Sequence, residues 1–500
     1  MSTTAASRPA GIDGLGTWGV VLAVMGLLTL YRAWFIVHSG ITLFVDEAQY
    51  WDWSRDLGWG YYSKPPVIAW LIAAATAAFG NGVLAIKSVG LIVYALAAVA
   101  IKRWLDEMMD ARGGTAAALA WLCMPLVAGL SLFASTDGPL LLCWVLAAWM
   151  LWRAQTHDRT PDWVWCGLAC GLGLLSKYTM AAFVVSALWA LWGLPGPRRG
   201  LARPGPWIAM ALALLCLAPN LWWNAQHHFP TLHHTEEITA GSNRAGGSRE
   251  LLSFLLAQIG LMGPLAFYWA LRPLTARTRP DAGARDQDAA LRDTRRYALA
   301  LALPLLLVAG AQAWMSHANV NWAGPAHVGL LLLTVLGLRQ ARHPRRALAG
   351  VMASNLFLMA LILHAPDLER LRGKAWPFNA DILARMRGWD TVLQEARSVV
   401  PPGLPVASDS RSWLAQIAYQ WRVHPYAWNP QHLVRDHYEM STDLNRERGR
   451  DVVLLSTQDH PQAFAAYAER VDDVACLDVV TGPKRRLVLH VYVLRGFKGY

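Results

Sequence analysis

Charge is scarce in this 500-residue chain: Asp, Glu, Lys and Arg together make up 16% of it. Six cysteines occur and no two form a CxxC pair. Cys123, Cys143, Cys166, Cys170 and Cys216 lie in apolar runs, where small thiols pack like other hydrophobes. Cys476 stands alone in the polar C-terminal part and has no internal partner there, so cysteine usage does not indicate a compartment. The chain lacks GxGxxG, Walker and HExxH patterns, and with them any sequence mark of a dinucleotide, nucleoside triphosphate or zinc-protease site. No repeat recurs at 20–50 residues, which removes solenoid architectures. Short alternating segments of the membrane-barrel type are also missing.

Long apolar runs are what the chain has. It is 55% hydrophobic, and runs of membrane-spanning length recur through residue 364. The fold class expected is a polytopic α-helical membrane protein with about 11–13 transmembrane helices. Candidate spans lie near 17–37, 82–101, 115–134, 139–152, 163–175, 179–194, 207–224, 251–271, 297–314, 324–338 and 347–364. The run 66–80 is short for a crossing. The first run is long for a signal peptide and lacks a small-x-small cleavage site, so it reads as an uncleaved span.

The net charge of +11 does not point to nucleic acid, because Lys and Arg collect in cytoplasmic loops of membrane proteins. PGPRRGLARPGP carries three Arg and no acid, and RQARHPRR four Arg and no acid. RPLTARTRPDAGARDQDAALRDTRR carries seven Arg against four Asp. Placing these loops inside puts the N-terminus inside and the C-terminus outside. The same choice puts most of the chemically interesting residues on the outer side, in the loops FVDEAQYWDWSRDLGWGYYSKPP, STDGP, SKYT, QHHFPTLHHTEE and SHANVNWAG. Beyond 365 the pattern changes. PVASD, VVLLS and RLVLHVYVL read as strands, and 380–399, SWLAQIAYQW and PQAFAAYAER as helices. The expected domains are thus 1–365, a transmembrane catalytic domain, and 366–500, a small periplasmic α/β domain.

The first outer loop holds the densest group of acids and aromatics. An interfacial belt explains its three Trp and three Tyr. It does not explain the adjacent acids Asp46 and Glu47, or Lys64 set against Pro65-Pro66. A carboxylate near an acceptor hydroxyl serves as a general base. Tyr50, Trp51, Tyr61 and Tyr62 offer flat faces and polar edges to sugar rings. Asp137, between two apolar segments, is costly so close to hydrocarbon, and is either a helix cap or a functional acid. Lys177 either snorkels or meets a lipid phosphate. Arg244 and Arg249 are solvated charges or contacts for substrate anions. His234 and Glu236 belong to a histidine-rich outer stretch. Its adjacent His pairs point in different directions on any regular element, which disfavours one shared metal site. Asn321 suits either a carbohydrate contact or a capped helix break.

DEAQYW followed by GYYSKPPVIAWL, then STDGPLLL and GLGLLSKYT, resembles the membrane core of the GT-C glycosyltransferases. Within them it is most similar to bacterial family 39, relatives of protein O-mannosyltransferases and lipid A aminoarabinose transferases. The likeness covers roughly residues 15 to 365, while the C-terminal domain matches in position and size alone. The resemblance implies transfer of a sugar, with inversion, from a polyprenyl-phosphate donor to a glycolipid, polysaccharide or protein at the outer face of the bacterial inner membrane. It implies Asp46 as the catalytic acid residue, with Glu47 in the same motif, and Asp137 as a second acid. Lys177 becomes a donor-phosphate contact, with Lys64 beside the donor. No cofactor is implied. A lipid-linked saccharide flippase, or a glycan polymerase or ligase, remains the alternative reading.

Overall fold

The structure is a computed structural model that describes residues 12–193, 201–240, 246–275, 285–373, 381–482 and 485–500. Its helices follow the apolar runs. In chain order they are α1 (Ile12–His38), α2 (Val45–Trp53), α3 (Val67–Phe79), α4 (Val83–Met108), α5 (Ala111–Cys123), α6 (Pro125–Leu130) and α7 (Asp137–His157). Then come α8 (Thr160–Ser176), α9 (Ala182–Gly193), α10 (Pro204–Gln226), α11 (Pro230–Ala240), α12 (Ser248–Met262), α13 (Pro264–Thr275) and α14 (Arg285–Met315). The helical part closes with α15 (Ala326–Arg339), α16 (Pro344–Leu363) and α17 (Ala365–Arg372).

Local signals set many of the ends. Proline opens α6, α8, α10 and α16 in the first turn, where its missing N–H costs nothing. The Asp110 carboxylate caps α5 by accepting from the Gly113 N–H at 2.7 Å. Among the described residues, α1, α4, α10, α14 and α16 are each long and apolar enough to cross a membrane. Two expected spans are interrupted. The run 115–134 breaks where Met124, extended before Pro125, ends α5. The run 251–271 bends by 100° between α12 and α13. Gly263 sits at that bend with φ +88°, and a Cβ there would lie 1.8 Å from the Asn355 carboxamide.

The core is built by α4, α5, α7, α8, α14 and α15 around Trp104, Trp121 and Trp144, all fully buried. Hydrocarbon supplies no hydrophobic drive between helices, so close backbone approach does the packing. Gly167 and Gly171, one turn apart on α8, seat α10. A Cβ on Gly167 would meet the Ala209 carbonyl at 2.5 Å, and one on Gly171 the Cys216 Cβ at 2.5 Å.

Ion pairs mark one end of the bundle. Arg153 meets Glu107 at 2.8 Å, Arg339 meets Asp110 at 2.8 Å, and Arg203 pairs with Asp158. These link the connections α4–α5, α7–α8, α9–α10 and α15–α16. Everything that follows lies at the other end. The short α3 starts and finishes there, because Asn81, just after it, accepts from the Trp51 indole of α2 at 2.8 Å.

Past α17 come α18 (Trp389–Val399), β1 (Val406–Ser408), α19 (Arg411–Trp421), β2 (Tyr426–Ala427) and α20 (His437–Ser441). Three more strands complete the sheet: β3 (Val452–Ser456), β4 (Arg470–Gly482) and β5 (Arg485–Arg495). The strand order is β2-β1-β3-β5-β4, parallel across the first three and antiparallel across the rest. The three expected strands are present. PQAFAAYAER forms a 3-10 turn over Pro461–Tyr467 and then enters β4, a strand the sequence reading missed. As an edge strand, β4 pairs only with β5 and needs no strong apolar alternation. The sheet region does not stand apart from the bundle. Leu43, Tyr50, Trp51 and Ile68 share one hydrophobic cluster with Trp389, Trp413, Ile417 and Tyr419.

Candidate active site

Two adjacent acids begin α2 and serve different ends. Successive helical residues are turned by about 100°, so Asp46 and Glu47 face different surroundings. Glu47 is 1% exposed. Its carboxylate accepts from the Phe44 N–H at 2.8 Å, the Ala134 N–H at 2.8 Å and the Lys87 ammonium at 2.5 Å. It ties the start of α2 to α4 and to the loop that leads into α7. Both of its oxygens are thus occupied, although the residue also borders the cavity that Asp46 faces. Asp46 is half-buried and opens on a cavity of about 1190 Å³. There it meets the Arg411 guanidinium at 2.8 Å.

Asp137 is the first residue of α7, near the positive end of that helix. Its Oδ1 accepts from Lys177 at 2.7 Å and its Oδ2 from Asn321 at 2.9 Å. Lys177 is the residue that ends α8, with an extended backbone, and Asn321 lies in the 3-10 turn Val320–Ala323. Three segments distant in sequence thus converge on one carboxylate.

Lys64 stands between these pairs. Among the described residues its ammonium makes no hydrogen bond or ion pair, although it lines the same cavity. Burial, reinforced by the Lys177 charge, pushes its pKa down to about 8. It therefore remains mostly protonated at neutral pH. A largely buried cation that no carboxylate contacts directly among the described residues is a place for an anion.

The other expected contacts divide. Tyr50, Tyr62 and His234 line the cavity. Burial, together with Lys64 and Arg411, lowers the His234 pKa to about 4, so the ring is neutral at pH 7. Trp51 and Tyr61 do not line it. Trp51 turns toward the sheet domain, edge-on to Tyr419 at 5.3 Å and under the Arg422 guanidinium at 4.4 Å. Tyr61 stacks on Trp53 at 4.5 Å, and its hydroxyl bonds the local backbone. These two aromatics are used to hold the loop, which accounts for their burial. Glu236 is exposed and off the cavity lining. Arg244 lies outside the described residues, and Arg249, on α12, does not line the cavity. No cluster of three or more His, Cys, Asp or Glu with metal-holding geometry is found among the described residues.

Arg411, Arg435 and Asp436 come from the sheet domain and also line the cavity. No motif flagged them. One signal was available: Arg411 follows β1 directly, at the carboxyl end of parallel strands, where α/β sheets place their ligand contacts. Part of the remaining wall is apolar, with Leu130, Phe133, Leu305, Val308 and Met315. Val308 and Met315 are also widely exposed on the bundle surface. The cavity therefore offers a carboxylate, an unpaired ammonium and a greasy exit side by side. Such a set can deprotonate a hydroxyl, hold a phosphate and pass a lipid chain toward a bilayer.

The family model described as dolichyl-phosphate-mannose-protein mannosyltransferase matches residues 63–223. The chain is 32% identical to the lipid A galacturonosyltransferase RgtD of Rhizobium johnstonii, over 87% of this chain and 90% of the relative. It is 26% identical to the undecaprenyl phosphate-alpha-4-amino-4-deoxy-L-arabinose arabinosyl transferase of Pseudomonas aeruginosa, over 80% of this chain and 90% of the relative. Among solved structures, ArnT from Cupriavidus metallidurans bound to undecaprenyl phosphate superposes with a TM-score of 0.61 at 17% identity, covering 95% of this chain and 98% of that one. At that identity the likeness speaks for the fold.

Proposed function

We propose a reaction from one premise: the chain belongs to the GT-C glycosyltransferases, in the group of the lipid A galacturonosyltransferases and aminoarabinose transferases. It is a multi-pass membrane glycosyltransferase that uses a polyprenyl-phosphate-linked sugar. The observation that carries the mechanism is the Asp46 carboxylate in one cavity with the Lys64 ammonium, unpaired among the described residues. The donor's lipid chain lies along the apolar wall and its phosphate meets Lys64. Lys177, whose charge Asp137 already balances, is the second phosphate contact. Asp46 accepts the proton of the acceptor hydroxyl as its oxygen bonds to the anomeric carbon. The bond from that carbon to the phosphate oxygen breaks on the opposite face, which inverts the centre. The electron pair leaves with polyprenyl phosphate, whose charge the lysines offset.

The acceptor is lipid A or the lipopolysaccharide core, and the sugar is a uronic acid. The support is the 32% identity, nearly end to end, to a lipid A galacturonosyltransferase. Arg435 adds a physical reason. Glu439 takes its Nε and Nη2 and leaves Nη1 without a hydrogen bond among the described residues. A guanidinium on the cavity wall suits a sugar carboxylate. The bundle is residues 1–365 in the inner membrane, with the cavity and residues 366–500 in the periplasm. The orientation rests on the Arg-rich loops at the opposite end.

A flippase would place ionisable groups at mid-span. Lys87, a charge inside the apolar run 82–101, sits in the first turns of α4 and serves Glu47. The direct test is purified protein in lipid nanodiscs with undecaprenyl phosphate galacturonic acid and lipid A. Product with an inverted anomeric centre is expected by NMR. Transfer only from the aminoarabinose donor would overturn the sugar assignment.

Lys64 makes a pH prediction. Its lowered pKa means that the charged form disappears as pH rises through about 8. Donor kcat/KM should therefore fall above pH 8 in the wild type. Lys64→Arg stays charged and should keep its efficiency to higher pH. Lys64→Met should raise the donor KM more than Lys177→Met, because Lys177 is already paired. A flat wild-type profile to pH 9.5 contradicts the phosphate role of Lys64.

A further inference from the structure

We infer that Arg411 is a positioning residue for the proposed base Asp46, so that docking of the sheet domain completes the active site. This rests on the reading of Asp46 as base. Arg411 opens α19, directly after β1. Its guanidinium forks onto α2, with Nη2 donating to Asp46 Oδ1 at 2.8 Å and Nη1 to Gln49 Oε1 at 2.7 Å. Asp46 and Gln49 are three residues apart, hence on one face of α2. The planar fork can grip both at once, and an ammonium cannot.

The grip has a chemical consequence. A half-exposed carboxylate has a broad terminal torsion, whereas a base must be held within about 0.5 Å and 10–20° of its productive geometry. With Oδ1 taken by Arg411, Oδ2 has no hydrogen bond among the described residues and is the oxygen free to accept the hydroxyl proton. Gln49 is 1% exposed and anchors the second arm of the fork. The domain itself is held on the bundle by separate contacts. Arg422 lies over the Trp51 and Tyr419 rings at 4.4 and 4.3 Å, and the Gln416 amide donates to the Leu43 carbonyl at 2.9 Å. Arg411 is thus separable from docking.

The experiment uses the full-length enzyme in nanodiscs with the donor and acceptor of the transfer assay. Arg411→Ala should lower kcat roughly 10- to 150-fold, the range for a lost charged hydrogen bond, with donor KM within about threefold. Added guanidinium at tens of millimolar should restore several-fold activity, while equal NaCl or urea should not. Arg411→Lys keeps the charge and loses the fork, and should recover only part of kcat. Arg422→Ala should reduce thermal stability and keep kcat. Normal kcat in Arg411→Ala or Arg411→Lys overturns the inference, as does an Arg422→Ala loss equal to that of Arg411→Ala. An active Asp46→Asn would instead remove the base reading itself, which keeps the two failures distinct.

Discussion

Asp46→Asn loses sugar transfer by about 10²- to 10⁴-fold while the purified protein unfolds at the wild-type temperature; this is the expected result. The substitution preserves volume, and its carboxamide oxygen can still accept from Arg411, which meets Asp46 at 2.8 Å. Docking of the sheet domain should therefore persist. What disappears is the capacity to take a proton from the acceptor hydroxyl. Donor binding should also survive, because the phosphate is assigned to Lys64 and Lys177. Equilibrium binding of undecaprenyl phosphate then separates chemistry from binding: unchanged affinity with no turnover is expected. Turnover near wild type would remove Asp46 as the base, and the search would pass to Asp137. A combined loss of affinity and turnover would instead mean that the carboxylate organises the phosphate site.

The second large effect is on stability. Lys87→Met leaves the Glu47 carboxylate buried without its cation, 1% exposed and still committed to two backbone N–H groups. Removing one partner of a buried ion pair costs about 3–5 kcal/mol. That is a large share of the stability of an ordinary domain. Lys87→Met should lower the unfolding temperature in detergent and reduce the yield of folded protein. Adding Glu47→Gln neutralises the orphaned charge, and Gln can still accept from one backbone N–H. The double variant should regain much of the lost stability. Activity should return in parallel, because Glu47 acts by holding α2 and the loop before α7. If stability returns and transfer does not, Glu47 takes part in the chemistry after all.

Comparison of the two acids shows where sequence reading stops. DEAQYW announces a pair of carboxylates at the start of a helix, but nothing in six letters says which one is buried on a lysine and which one stays half-exposed against an arginine. That depends on where α4 places Lys87 and where α19 places Arg411, 40 and 365 positions away respectively. The same holds for the aromatics. Trp51 and Tyr62 look alike as amphipathic rings in a loop, yet one faces the sheet domain and the other the cavity. The expected span 251–271 is largely apolar, and it bends by 100° at Gly263-Pro264, where Gly263 takes φ +88° and packs against Asn355.

The sequence by itself determined the membrane class, most of the helices, most strands of the sheet and the loops that meet at one end. It also determined the candidate acids and lysines. All of these follow from local properties: apolar length against bilayer thickness, residue periodicity, proline at helix starts, and the cost of charge near hydrocarbon. The tertiary structure alone decided the partners: Asp46 with Arg411, Glu47 with Lys87, Asp137 with Lys177 and Asn321, and Lys64 with none among the described residues. The physical reason is range. A charge–charge contact depends on a few ångströms in space, and segments hundreds of residues apart reach that distance only after the bundle and the sheet domain have packed together.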